Sequence, residues 1–212
     1  MTEASPHGEQ IVGVVLAGGL SRRMNGQDKA LMPLAGKPLI GHVIDRLAPQ
    51  VGLIAINANG DPQRFAMTGL PVFADTIPGH AGPLAGVLAA MDFARARGPG
   101  LTHVATAATD TPFLPLDLVA RLAAASATPD TIAMAHSHGQ RHPVFALWPV
   151  GLADDLRAFL ASTESYKVMV WVERHRLRPV EFGTEGGDPF FNINTPAELA
   201  HAKARFREEA RP

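Results

Sequence analysis

The run Ile11-Val12-Gly13-Val14-Val15-Leu16 contains no polar residue and ends directly in Ala17-Gly18-Gly19. An apolar run of this length, bounded by a glycine pair, reads as a buried strand. Adjacent glycines let the backbone turn sharply and bring bare N–H groups close to an anion. Arg22, Arg23 and Lys29 follow and supply charge that amides alone do not. Between Leu16 and Lys37 the cations Arg22, Arg23, Lys29 and Lys37 face one acid, Asp28, in a chain whose formal net charge is −1. Positive charge is therefore concentrated where the glycines are, which is the expectation for a polyphosphate site.

The rest of the chain sets the frame around that strand. Val51–Asn57 and Thr102–Ala108 read as further buried strands, with amphipathic helices expected at Pro38–Ala48, Pro83–Arg97 and Leu116–Ala125. Strand–helix alternation of this kind predicts an α/β fold: a mostly parallel sheet with helices on both faces. Further on, Thr131–His136 and Val144–Trp148 read as a strand pair and Leu177–Phe182 as another strand. Helices are expected at Gly151–Leu160 and Tyr166–Arg174. Thr195 with Glu198 three residues on is a capping box, and Pro196 suits the first turn of a last helix. The 212 residues, 46% of them hydrophobic, fit a single domain spanning 11–204, with mobile ends at 1–10 and 205–212.

Several functions are disfavoured at this level. The near-zero net charge argues against a nucleic-acid or membrane-surface binder. Without cysteine there is no disulfide, Fe–S ligation or thiol catalysis. The first ten residues lack a secretory apolar core, and no run is long enough to span a bilayer, so a soluble cytoplasmic protein is expected. The glycine segment carries neither G-x-x-x-x-G-K-[ST] nor G-x-G-x-x-G, and a serine hydrolase elbow, G-x-S-x-G, is absent. His136, His138 and His142 cluster in sequence, with His136 and His138 expected on one face of a strand. No cysteine accompanies them, and a zinc site is not the favoured reading.

The order of short motifs is more specific than any of them alone. Leu-Ala-Gly-Gly-x-Ser-x-Arg-Met, Asp28-Lys29 and Gly36-Lys37-Pro38 are followed by Asn57-Ala58-Asn59 and Asp75. Then come Gly82-Pro83-Leu84-Ala85-Gly86, Thr109-Asp110-Thr111-Pro112, Arg141-His142-Pro143 and Asn192-Ile193-Asn194-Thr195-Pro196. This series resembles the nucleotidyltransferases that activate a phosphorylated small molecule with an NTP, and most of all the molybdenum cofactor guanylyltransferases. The resemblance runs from Ile11 to Ala204 and implies a Rossmann-like nucleotidyltransferase fold. It implies transfer of GMP from GTP to the terminal phosphate of molybdenum-molybdopterin, forming the guanine dinucleotide cofactor and releasing pyrophosphate. A cytidylyltransferase or a sugar-phosphate nucleotidyltransferase would use the same scaffold; a nucleotide sensor or carrier without turnover is the alternative of a different class.

What the resemblance implies for individual residues follows. Leu16, Ala17, Gly18 and Gly19 hold base and phosphates, Lys29 counters phosphate charge, and Asn57 and Asp75 contact the nucleoside. Arg23, Lys29 and Asp110 form the catalytic set. Asp110 follows a buried strand, where open α/β sheets place ligands, and it is the candidate Mg²⁺ ligand together with Asn194. Arg22, Arg141, His142, Lys167 and Asn192 are candidates for the acceptor. Proteins that deliver or receive the molybdopterin cofactor are expected partners.

Overall fold

The structure is a computed structural model, and it describes residues 8–18, 28–77, 82–126, 128–163 and 165–209. Strand β1 (Ile11–Leu16) leads towards a small hairpin, β2 (Pro33–Leu34) and β3 (Lys37–Pro38), and then helix α1 (Leu39–Leu47). Next come β4 (Leu53–Asn57), β5 (Val72–Phe73), α2 (Pro83–Arg95), β6 (His103–Ala108) and α3 (Leu118–Ala125). The remainder is β7 (Thr131–Ser137), β8 (Gln140–Pro149), α4 (Ala153–Ser162), α5 (Val168–Val172), β9 (Arg176–Glu181) and α6 (Pro196–Glu209).

Seven strands form one sheet in the order β5-β4-β1-β6-β8-β7-β9. All run in the same direction except β8, which is antiparallel to both β6 and β7. The mostly parallel sheet expected from the strand–helix alternation is what forms. The apolar residues of β1 explain why: Ile11 and Val15 join the core under α1 and α3, whereas Val12 and Val14 join the core under α2, α4 and α5. A strand buried on both faces has no use for polar alternation. Gly13 serves close packing, since a Cβ there would lie 2.9 Å from Val51 Cγ2 and 3.2 Å from Leu47 Cγ.

β1 pairs with β4 on one side and β6 on the other, so the strand order reverses around it. Open α/β sheets bind ligands in the crevice beyond the carboxyl ends of their strands at such a reversal. Leu16-Ala17, Asn57, Phe73-Ala74-Asp75 and Ala108-Thr109-Asp110 all lie at those ends.

The structure departs from the sequence reading in several places. Gly8–Gln10 form a single 3₁₀ turn rather than a tail, because Gly8 O accepts from Gly52 N (2.7 Å) and Gln10 O from Thr102 N (3.0 Å). At the other end, α6 continues to Glu209 through the expected tail boundary at Arg205. Phe206 packs against His42 and Phe113, and the Arg205 guanidinium donates to Asp188 O (3.0 Å), so this turn has partners to hold it. β8 starts at Gln140, earlier than expected, because His138 and Gly139 (φ +48° and +73°) close a tight hairpin with β7. Positive φ at both turn residues matches the right-handed strand twist. It also takes His138 out of the strand, so His136 and His138 do not share a strand face. α5 is only five residues long, shorter than the expected Tyr166–Arg174. The capping box at Thr195 forms as read: Thr195 Oγ1 accepts from Glu198 N (3.2 Å), and Glu198 Oε2 accepts from Asn194 N (2.6 Å).

Candidate active site

Asp28 begins the site. Its Oδ1 accepts from Ala30 N at 3.0 Å and so caps the 3₁₀ turn Lys29–Leu31. The turn aims Lys29 across the carboxyl ends of the strands. Its ammonium donates to Asp110 Oδ2 (2.5 Å) and to Asn194 Oδ1 (2.7 Å). The Lys29 and Asp110 side chains are only 16% and 21% exposed, so solvent screens this pair weakly. Asn194 reaches the pair because Ile193 N donates to Asp110 O (2.9 Å), stitching the loop before α6 to the end of β6. The Asn194 N–H is the main reason the Glu198 carboxyl is held below its ordinary pKa, with the Thr195 hydroxyl and the Lys29 ammonium acting in the same direction. Asn192 joins the pair indirectly: its Oδ1 accepts from the buried Thr111 hydroxyl at 2.6 Å, and that hydroxyl lies 3.3 Å from Asp110 Oδ1.

A second corner forms at the ends of β4 and β5. Asn57 is buried, and its amide donates to Asp75 Oδ1 (3.0 Å). Asn59 donates to Asp75 Oδ2 (2.8 Å) and accepts from Asp75 N (3.0 Å). The two amides thus fix both oxygens of one carboxylate. Gly86, in the first turns of α2, is pressed against Asn57: a Cβ there would lie 2.6 Å from Asn57 Oδ1. Leu16 and Asn57 are register partners, and Ala17 N donates to Asn57 O (2.8 Å), joining this corner to the end of β1. Gly18 is exposed, with open space where a side chain would be. Gly19, Arg22 and Arg23 lie outside the described residues.

Of the other candidate acceptor residues that are described, Arg141 and His142 have partners of their own. Arg141 donates to Glu173 Oε1 (3.0 Å) on the exposed side of β8. His142 stacks on Phe190 at 4.4 Å between ring centroids, and its Nε2 lies 2.7 Å from Ser137 Oγ. Ser137 donates onward to Asp188 Oδ1 (3.1 Å), so its oxygen accepts from His142 Nε2–H. Burial lowers the His142 pKa from its ordinary value, against the opposing pull of Asp188. Lys167 is exposed immediately before α5. Residues 188–194 connect the His142 stack to the Asp110 pair. Among the described residues there is no group of three or more His, Asp or Glu able to hold a metal, and no helix long and apolar enough to cross a membrane.

A family model described as a MobA-like NTP transferase domain matches residues 13–178. The chain belongs to this family. It is 53% identical over 196 residues to the molybdenum cofactor guanylyltransferase of Mesorhizobium japonicum, covering 91% of this chain and 94% of that one. It is 50% identical to the protein of the same name from Rhizobium meliloti, covering 96% of this chain and 95% of that one. Among solved structures, molybdopterin-guanine dinucleotide biosynthesis protein A from Archaeoglobus fulgidus superposes with a TM-score of 0.72 at 22% identity, covering 93% of this chain and 99% of that one. The 4-diphosphocytidyl-2C-methyl-D-erythritol synthase of Anaerococcus prevotii also gives 0.72 at 11% identity, covering 93% and 96%, and shares the fold. As a member of the MobA-like family the chain is a nucleotidyltransferase.

Two participants escaped the sequence reading. Asn59 sits in a quoted motif, but its grip on Asp75 depends on how the loops after β4 and β5 meet. Arg64 had no signal at all. It lies in the 3₁₀ segment Pro62–Thr68 and ion-pairs with Asp28.

Proposed function

We propose that this transferase moves GMP from GTP to the terminal phosphate of molybdenum-bound molybdopterin. An oxygen of the acceptor phosphate attacks the α-phosphorus, a new P–O bond forms, the α–β bridging P–O bond breaks, and pyrophosphate leaves. Such transfers need alignment and charge neutralisation more than covalent help. The observation that carries the reading is the convergence of Lys29, Asp110 and Asn194 at the strand ends, beside the Asn57–Asp75 corner.

Each group has a physical task. Lys29 neutralises charge on the transferring phosphates. The backbone from Leu16 to Gly18 lines the nucleotide, and Asp75, its carboxylate oriented by Asn57 and Asn59, accepts from the nucleoside. The donor set also suits Mg²⁺: Asp110 Oδ2 and Asn194 Oδ1 are hard oxygens that already converge on one cation, the Lys29 ammonium. Two protein oxygens without a cage fit an ion that takes most of its ligands from water and phosphate. Asp110 and Asn194 would hold Mg²⁺ in place of the ammonium, and the ion would supply Lewis-acid stabilisation of phosphate charge. On the acceptor side, Asn192 is tied through the Thr111 hydroxyl to Asp110, and His142 stacks on Phe190 of the same segment; Arg141 and Lys167 complete the candidates.

The names carried by relatives at about half identity favour guanine over cytosine, and favour molybdopterin as acceptor. Incubation with Mg²⁺, molybdenum-molybdopterin and each NTP in turn, with pyrophosphate quantified, tests the proposal. GTP-dependent release is expected. Preference for CTP overturns the base assignment, and nucleotide binding without pyrophosphate overturns catalysis. Proteins that deliver or receive the cofactor are natural partners for such a reaction.

A further inference from the structure

We infer that Arg64 is a positioning residue that sets the affinity of the site for nucleoside triphosphate, by holding three separate segments of the nucleotide site in one frame. The inference rests on the reading above that the crevice binds GTP. One terminal nitrogen, Nη1, pairs with Asp28 Oδ2. The other, Nη2, donates at 3.3 Å to Ala17 O and at 3.3 Å to Asn59 O.

Each partner is a structural end point of the site. Ala17 is where the chain leaves β1, and Asp28 is the cap of the Lys29 turn. Arg64 therefore grips both flanks of the glycine-and-cation segment. Asp28 divides its carboxylate between tasks, with Oδ1 capping the Lys29 turn and Oδ2 held by Arg64. Asn59 uses its carbonyl for Arg64 and its side chain for Asp75. One planar cation thus ties the start of the phosphate segment, the base of the Lys29 turn and the nucleoside corner to each other.

Two features separate this from an ordinary surface ion pair. The Arg64 and Asp28 side chains are only 29% and 25% exposed, so the pair is partly shielded from solvent. Arg64 Nε is buried without a hydrogen-bond partner, which costs stability and shows a guanidinium placed for its terminal nitrogens. The flat fork matters: its two terminal nitrogens are held apart in one plane, so Nη1 meets the carboxylate while Nη2 meets the two carbonyls, a spread that a single ammonium nitrogen does not reproduce.

The test compares wild type with Arg64→Met, Arg64→Lys, Asp28→Asn and the Arg64→Met/Asp28→Asn double variant. GTP affinity is read by calorimetry with Mg²⁺ present, kcat and KM by pyrophosphate release, and stability by thermal melting. Arg64→Met is expected to weaken GTP binding about tenfold to a hundredfold, the effect of losing charge-assisted hydrogen bonds that preorganise a site. KM should rise with kcat much less altered, and Arg64→Lys should recover only a minor part of the loss. The double variant should bind no more weakly than Arg64→Met alone, because the Asp28 connection is already lost when Arg64 is removed. If Arg64→Met fails to fold, Arg64→Lys and Asp28→Asn decide on the same readouts. Wild-type GTP affinity in the Arg64 variants overturns the inference, as do additive losses in the double variant. If wild type binds no nucleoside triphosphate, the functional reading itself fails, before any variant is considered.

Discussion

Replacing Gly86 with alanine sets two effects of known size against each other. The position is inside α2, where alanine is favoured over glycine by about 1 kcal/mol. The added methyl, however, would lie 2.6 Å from Asn57 Oδ1 and 3.1 Å from Leu16 Cδ2. Asn57 does not yield freely: it is 2% exposed, and its amide is bound to Asp75 Oδ1 at 3.0 Å. Overpacking of this kind costs about 1–3 kcal/mol. The overpacking wins, and the net destabilisation is about 1 kcal/mol, or a fall of roughly 2–4 °C in Tm for a chain of this size. The kinetic effect is larger than the thermal one. Displacing Asn57 displaces the Asp75 carboxylate, and a hydrogen bond to a charged group is worth about 1.5–3 kcal/mol, so KM for GTP should rise about tenfold to a hundredfold. On the proposed role of this corner, at the nucleoside rather than the reacting atoms, kcat should change much less. Differential scanning calorimetry and pyrophosphate kinetics measure both. A Tm raised by 2–4 °C with KM unchanged would show helix propensity acting alone, and would refute the argument that Gly86 is needed to seat Asn57.

Three further outcomes follow from other contacts. Lys29→Ala removes the charge proposed to stabilise the phosphates and should slow pyrophosphate release by about 10²–10³; near-normal turnover removes Lys29 from the mechanism. Thr106→Val strips a buried relay in which Trp148 Nε1 donates to Thr106 Oγ1 (2.8 Å) and Thr106 donates to Val144 O (2.6 Å). The two unsatisfied groups should cost about 2–4 kcal/mol in urea unfolding, and a loss below 1 kcal/mol would mean water or another group replaces the hydroxyl. His142, whose pKa burial depresses from the ordinary 6.5, binds protons more readily unfolded than folded. Its contribution is therefore complete above 6.5 and is lost as pH falls through the lower folded value. Wild type should lose more stability between neutral and mildly acid pH than His142→Gln does, and identical pH–stability curves would contradict the assignment.

Much of this fold is written in local patterns. The unbroken apolar character of Ile11–Leu16 announces burial on both faces, which in turn demands helices on both sides of a parallel sheet. The Thr195–Glu198 box and Pro196 mark the start of α6, because capping is a contact between near neighbours. The end of α6 has no such marker. It persists to Glu209 because Phe206 finds Phe113 and His42, which lie in distant parts of the chain. Likewise, nothing around position 138 shows that His138 takes a left-handed turn conformation, since the register of β7 on β8 decides it.

The individual chemical groups of the site could be nominated from the residue order: Lys29, Asp110, Asn194, Asn57 and Asp75 each stand in a short motif. Their mutual arrangement could not. Lys29 meets Asp110 across 81 positions and Asn194 across 165, and Arg64 meets Asp28 across 36. Periodicity and capping act over one or two helical turns, whereas these pairings exist because the sheet brings several strand ends to one edge. Arg64 is the clearest case: no motif surrounds it, and it becomes part of the site only when the chain beyond β4 folds back over the exit of β1.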